Sequence, residues 1–257
     1  MLKKLILIAL TGLIITSCSS SLDTTNLTAE ERLAYSIKLY ENEDYQEAAK
    51  EFEALLLQFP GSAVSDDAQY YLGMTRFKRG EYIIAAYEFS KLIKGMPTSE
   101  FVPQSQFMLA ECYYQLSPDY SLDQKYTKKA IEEFQVFIDF FPLDSKVAEA
   151  EKKIDELNDK LARKEYDTAV IYEKMEYTKA ALEYYENVME IYHDTKYAPL
   201  AHYNKINLLV SKNRNQEALD AANSFLKKYP NDSNYSSVEK IKTSLESKLS
   251  VRNKNES

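Results

Sequence analysis

The sequence is short of the residues that interrupt helices. Its 257 residues include only 5 Gly and 7 Pro, and so few breakers in a chain of this length favour a nearly all-helical protein. Trp is absent, which argues against a protein that stacks carbohydrate rings. Acidic residues outnumber basic ones by 40 to 32, so the charge balance disfavours a nucleic-acid partner.

Cysteine and histidine are equally scarce, with two of each. His193 and His202 are separated by Pro199, so a shared helix face is not expected. Cys112 lies inside a helical pattern, which indicates a small core residue rather than a reactive thiol. The sequence has no glycine-rich phosphate loop, no Cys/His metal spacing and no nucleophile elbow. It therefore predicts a binding protein rather than an enzyme, without a metal or cofactor.

The first seventeen residues have the features of an export signal. Lys3 and Lys4 precede an apolar run over 5–15, which is too short to span a bilayer comfortably. The next residues, Ile15-Thr16-Ser17-Cys18, resemble the lipobox of bacterial lipoproteins, and that resemblance implies cleavage before Cys18 and its acylation. An ordinary secretory signal is the alternative. We therefore predict a signal peptide over the first seventeen residues and a lipidated, flexible tether over 18–28.

One pattern recurs three times: an alanine, an aromatic residue four positions later, and a proline eight positions after that. The three sets are Ala48, Phe52 and Pro60; Ala85, Phe89 and Pro97; and Ala130, Phe134 and Pro142. The alanine allows two helices to approach closely, and the aromatic ring one turn later fills the gap to the next repeat. This spacing is typical of tetratricopeptide repeats. The sequence predicts an all-α solenoid of about five such helix-turn-helix repeats over 29–249, followed by a disordered tail over 250–257.

The fourth and fifth repeats are less regular. Residues 144–174 read as one long charged helix or two abutting ones, followed by the set Tyr177, Ala180 and Tyr184. The fifth repeat has Ala222 where the aromatic residue should stand. We predict a capping helix over 238–249 after it.

A lipobox followed by about five such repeats resembles the BamD family of outer-membrane assembly lipoproteins. The segment 44–62 is similar to that family's opening repeat, and residues 161–177 are similar to its long fourth-repeat helix. The resemblance implies a lipid-anchored protein on the periplasmic face of the outer membrane. It further implies binding to the periplasmic domains of BamA and other components of the BAM complex, and assistance to unfolded β-barrel outer-membrane proteins.

In tetratricopeptide folds the first helix of each repeat lines the concave face. Transferring the repeat positions predicts a peptide-binding groove suited to an extended segment with aromatic residues. Its candidate residues are Leu33, Ile37, Tyr40, Tyr70, Met74, Phe77, Phe107 and Tyr114. The alternative for each of them is a place in the repeat core; Tyr70, Phe77 and Tyr114 are the best groove candidates.

Two further alternatives follow from the same features. The charges along residues 152–164 form either a solvated helix face or a docking surface for BamA. A periplasmic repeat lipoprotein that coordinates envelope division or peptidoglycan synthesis would share the lipobox and the repeats, although such proteins often carry a coiled coil that is not evident here.

Overall fold

Helices account for almost all of the backbone that can be described. The computed structural model describes residues 26–255 and the side chains of residues 26–251, so the predicted signal peptide, Cys18 and most of the tether lie outside it. Eleven helices occupy the described part: α1 (Ala29–Glu41), α2 (Tyr45–Gln58), α3 (Ser65–Lys78), α4 (Tyr82–Gly95), α5 (Val102–Leu116), α6 (Lys125–Phe140), α7 (Val147–Lys174), α8 (Thr178–Ile191), α9 (Tyr197–Ser211), α10 (Asn215–Lys228) and α11 (Tyr235–Asn255).

The helices form a solenoid because each one packs mainly against its neighbours in the chain. Contacts run from α1 to α2, from α2 to α3 and onward to α10 against α11, which is the organisation of stacked repeats. The first helix begins at a capping box, in which Thr28 and Glu31 accept from each other's backbone N–H groups. The predicted all-α tetratricopeptide solenoid is confirmed.

Most repeats join their two helices through one tight turn. The residue that reverses the chain has a positive φ in four repeats, 75° at Gly80, 63° at Glu43, 62° at Glu176 and 57° at Asn213. Only glycine adopts this conformation without steric cost, so the three other turns carry local strain. The third repeat instead uses a longer loop over 117–124.

The alanine and aromatic positions of the three regular sets form the core, as predicted. All six side chains are fully buried. A Cβ atom added at Gly73 would lie 2.7 Å from Cε1 of Phe89, closer than real Cβ contacts allow. The expected close approach of α3 and α4 is therefore real, and it requires glycine at this position.

The register predicted for the fourth repeat is wrong by one residue. Ala181 and Tyr185 are fully buried, whereas Ala180 and Tyr184 are only partly so. The turn explains the difference, because Glu176 occupies the place that Glu43 has in the first repeat. Counting from there aligns Ala181 with Ala48 and Tyr185 with Phe52.

Helix α7 joins the two halves of the solenoid as one uninterrupted helix of 28 residues. Its first half packs on α6 through Ala150 and Leu157, and its second half packs on α8 through Ala169. Of the two predicted alternatives, one long helix or two abutting ones, the structure has the single helix. The loop 117–124 lies along its middle, where Lys160 Nζ donates to Ser117 Oγ at 2.7 Å.

The end of the chain is more helical than predicted. In the fifth repeat Ala222 is fully buried, and Phe225 supplies the buried ring one turn later. Helix α11 then ends at Asn255 rather than Leu249. The predicted tail over 250–257 therefore begins within a helix.

A recurrent polar contact, which the sequence reading missed, accompanies the apolar sets of the second and third repeats. Gln69 Nε2 donates to the backbone carbonyl of Glu88 at 3.1 Å and to its carboxylate at 2.7 Å. Gln106 makes the same two bonds with Glu133, at 3.1 Å and 2.8 Å. The acceptor stands three residues after the repeat alanine in both cases. These bonds satisfy buried polar groups between the two helices of one repeat.

His202 takes the corresponding position in the fifth repeat. Its side chain is 1% exposed and lies beside the backbone of Ala221. Burial lowers the pKa of this imidazole to about 4, and the nearby Lys205 ammonium acts in the same direction. The ring is therefore held neutral in the folded chain at neutral pH.

Replacing His202 by Gln is expected to make the free energy of unfolding depend less on pH below neutrality. Below pH 6.5 the His202 ring becomes protonated in the unfolded chain, whereas it stays neutral in the folded chain. The free energy of unfolding therefore falls with pH until about pH 4. Between pH 7 and pH 5 the native chain should lose about 2 kcal/mol through this residue. Urea unfolding of both proteins at the two pH values measures the difference, and an equal loss in both would contradict this account.

Candidate functional site

The candidate site is the row of side chains that the first helices of repeats one to three present on one face. The first two of these helices each contribute residues three or four positions apart, which lie on one stripe of the helix, and the third contributes Tyr114. Seven of the eight predicted residues are half-buried: Leu33, Ile37, Tyr40, Tyr70, Met74, Phe77 and Tyr114. We call these seven residues the concave row. They keep part of their apolar surface open while their bases pack into the repeat clusters.

Phe107 does not belong to this open surface. Its side chain is 3% exposed, and its ring makes edge contacts with Phe134 and Phe137 at centroid distances of 5.6 and 5.3 Å. The ammonium group of Lys146 covers the ring at 4.3 Å. The predicted groove role of Phe107 is thus corrected to a core role, because the loop after α6 closes over it.

The aromatic members of the concave row are held in place by other rings. Tyr70 stacks on Phe101 with centroids 4.6 Å apart and contacts Tyr71 edge-on. Phe77 packs edge-on against Tyr82 at 5.2 Å. Because their rotamers are fixed by packing, these rings would lose little conformational entropy on binding a ligand.

A polar cluster closes the row on the side of the long helix. The hydroxyl of Tyr114 donates to the Glu156 carboxylate at 2.7 Å, and this bond, with burial, raises the pKa of Tyr114 to about 12. Lys153 Nζ lies 4.2 Å from the centre of the Tyr114 ring and 2.9 Å from Glu111 Oε2. Helix α7 therefore contributes two charged residues to this face. The sequence leaves the charges of this helix open between a solvated face and a docking surface for BamA.

The described residues offer little to covalent or metal chemistry. Cys112 is fully buried, and burial raises the pKa of its thiol well above the ordinary range. No group of three or more His, Cys, Asp or Glu residues in the described part of the chain could hold a metal ion. The concave row can bind apolar side chains, and its rim can bind polar ones.

Comparison with known proteins agrees with this architecture. A family model described as "YfiO: Outer membrane lipoprotein" matches residues 28–215. The chain belongs to this family. The YfiO match covers α1 to α9, and thus the whole concave row.

Individual relatives point the same way. An outer membrane protein assembly factor BamD from Rickettsia prowazekii is 27% identical over 236 residues, which cover 91% of this chain and 94% of the relative. The BamD proteins of Caulobacter vibrioides and Pasteurella multocida are 25% and 26% identical, over 79% and 76% of this chain and 68% and 79% of their own. The resemblance to the BamD family that the repeats suggested is confirmed.

Among solved structures, the tetratricopeptide domain of P58(IPK) aligns with 86% of this chain and 56% of its own length, at 14% identity and a TM-score of 0.43. Between residues 26 and 255, no helix is both long enough and apolar enough to cross a membrane.

Proposed function

We propose that this YfiO-family protein is a lipid-anchored component of outer-membrane protein assembly that receives unfolded β-barrel proteins on its concave row. It acts on the periplasmic face of the outer membrane, held there by an acylated Cys18. The family description and the names of its relatives support the outer-membrane setting. The observation that carries the binding role is the concave row itself, seven half-buried apolar or aromatic side chains on three successive repeats.

The physical fit is to an extended peptide with apolar side chains. Such a segment can lay alternate side chains between the rings of neighbouring repeats, and fixed aromatic rings supply a large contact area. The polar cluster of Tyr114, Lys153 and Glu156 would bound the apolar part of the groove. The C-terminal strand of an unfolded barrel protein has the apolar, aromatic character that this surface requires.

The second half of the solenoid would serve as the docking side for BamA and other BAM components. Many of the charges on the first half of α7 are used within the chain, since Lys152 pairs with Glu156 and Lys153 with Glu111. Exposed apolar residues remain at the other end of that helix, at Ile171 and Met175. This end, rather than the charged stretch over 152–164, is the better candidate for docking.

Replacing Tyr70, Phe77 and Tyr114 together by Ala is expected to weaken binding of a barrel C-terminal peptide at least about tenfold, because three aromatic contacts of roughly 0.5–1.5 kcal/mol each are lost. Fluorescence anisotropy of a labelled peptide with the full chain measures the dissociation constant. The substituted chain must first give the helical circular dichroism spectrum of the native protein.

The matched control alters the outer side of α4. Ile83, Ile84 and Tyr87 are exposed apolar residues of the second repeat, and their replacement by Ala removes a similar apolar area from the other helix of that repeat. This control should bind the peptide as the native chain does. If the concave triple binds equally well, or the control loses as much, the groove assignment is wrong.

A further inference from the structure

The edge of the solenoid where α1 begins also carries the loops that connect successive repeats. Arg32 Nη1 in the first turn of α1 donates to Gln58 Oε1 at the end of α2, at 2.5 Å. Across the next repeat boundary, Ser99 Oγ donates to Asp66 Oδ2 at 2.7 Å. Lys146 lies over the ring of Phe107, near the start of α5. The start of α1 and the loops 59–64, 96–101 and 141–146 therefore share one edge, which we call the anchor-side edge.

The most exposed of the large hydrophobic residues lie on this edge. Among the described side chains, the three most exposed large hydrophobic ones are Leu143 at 98%, Leu57 at 82% and Phe140 at 74%. Leu57 lies in the last turn of α2, Phe140 ends α6, and Leu143 follows in the next loop. None of them packs into a described core cluster. Apolar side chains exposed this fully on one edge indicate a surface that something covers.

The length of the preceding chain limits how far this edge can lie from the proposed anchor at Cys18. Ala29 follows Cys18 by only eleven positions, and even a fully extended chain of this length spans at most about 40 Å. Helices of one layer lie about 10 Å apart, so Phe140 and Leu143 are roughly 20–40 Å along the edge from Leu57. If Cys18 is held in a bilayer, the entire edge is within reach of that surface.

The charges on the edge select the kind of lipid surface. Glu100, Asp139 and Asp144 lie on it or beside it, with Lys94 and Lys146 as the nearby cations. The acidic excess gives no attraction to anionic headgroups. Contact must come from the apolar side chains, which favours a zwitterionic phospholipid surface.

We propose that the anchor-side edge rests on a zwitterionic lipid surface, with Leu57, Phe140 and Leu143 inserted among the headgroups. This inference rests on the proposed lipid anchor at Cys18, and it adds a second contact that orients the protein. Helices α1 to α6 then point away from the membrane, and the concave row opens along it. A barrel segment moving beside the bilayer could enter the groove without the solenoid turning.

The absence of Trp in the chain permits a direct test with single-Trp variants. Leu57→Trp and Leu143→Trp report on the edge, and Tyr87→Trp is the control because Tyr87 is 65% exposed on α4. The full acylated chain is placed in phosphatidylcholine vesicles whose acyl chains carry bromine, which quenches nearby indoles. Both edge variants should be quenched at least about twofold more than the control, with no dependence on salt, since apolar insertion is not screened.

Equal quenching of the three variants would overturn the edge contact. Fluorescence typical of a water-exposed indole in both the Leu57→Trp and the Leu143→Trp variant would overturn it as well. A protein partner would then be the expected occupant of this edge.

The proposed anchor at Cys18 is tested separately. The mass of the chain shows whether it is acylated, and flotation with vesicles is compared between the native chain and the Cys18→Ala variant. If the chain proves not to be acylated, the proposed anchor fails. The Cys18 thiol is then coupled to a maleimide lipid, since Cys112 is buried, and the same quenching decides the edge contact.

Discussion

Replacing Phe134 by Ala is expected to lower the free energy of unfolding by about 3–5 kcal/mol, the range for deletion of a fully buried ring. The Phe134 side chain has no exposed surface and contacts the rings of Phe107 and Tyr114 at centroid distances of 5.6 and 6.3 Å. It lies in the cluster that joins α5, α6 and the first half of α7. A cavity here would loosen the junction between the third repeat and the long helix. Urea unfolding followed by circular dichroism measures the loss.

The matched control is Phe140→Ala on the same helix. Phe140 is largely exposed, so its removal in solution should change the free energy of unfolding by no more than about 0.5 kcal/mol. Both variants remove the same ring from α6, and only the surroundings differ. Similar losses for the two would show that α6 does not pack in the register described.

The fold could be predicted from the sequence because its rules are local. The alanine, the aromatic residue and the proline of one repeat lie within thirteen residues, and a capping box or a tight turn involves only neighbours in the chain. Helices α2, α4 and α6 consequently carry the buried alanine and aromatic residues that the pattern predicts. Repetition strengthens the signal, since each set supports the interpretation of the others.

The predictions from sequence were wrong where the local pattern was ambiguous or where a contact joined residues far apart in the chain. In the fourth repeat two alanines and two tyrosines are adjacent, so only the turn at Glu176 distinguishes Ala181 from Ala180. The spacing of eight from Tyr185 to His193 also favours the observed register. Phe107 has the spacing of a groove residue, but the Lys146 side chain, 39 positions away, covers it.

The candidate site shows the same division between local and distant information. Spacing on the first helices predicts seven groove residues, and all seven are half-buried in the structure. The polar cluster at its rim depends on Tyr114 and Glu156, which are 42 residues apart. No periodic pattern links them, because α7 serves two repeats at once. Sequence reading could therefore find the row but not its boundary.

Replacing Gly73 by Leu is expected to cost roughly 3 kcal/mol, the upper end of the usual range for overpacking. The Cβ atom alone would lie 2.7 Å from Phe89 Cε1 and 2.9 Å from both Cδ1 and Cζ. A ring that is fully buried on every side cannot move aside without displacing α4 from α3. The midpoint of urea unfolding should fall accordingly.

The cause of this loss can be isolated with two further chains. Gly95 is also a helical glycine, but a Cβ atom there would meet nothing within 4 Å, so Gly95→Leu should change stability little. In the double variant Gly73→Leu, Phe89→Ala, removal of the ring should restore part of the space. The double variant should then lose less free energy of unfolding than the sum of the losses of the two single variants. Additive losses would mean that Gly73 is required for its backbone freedom rather than for the approach of Phe89. The close packing that the repeat pattern implies would then not be the reason for glycine at this position.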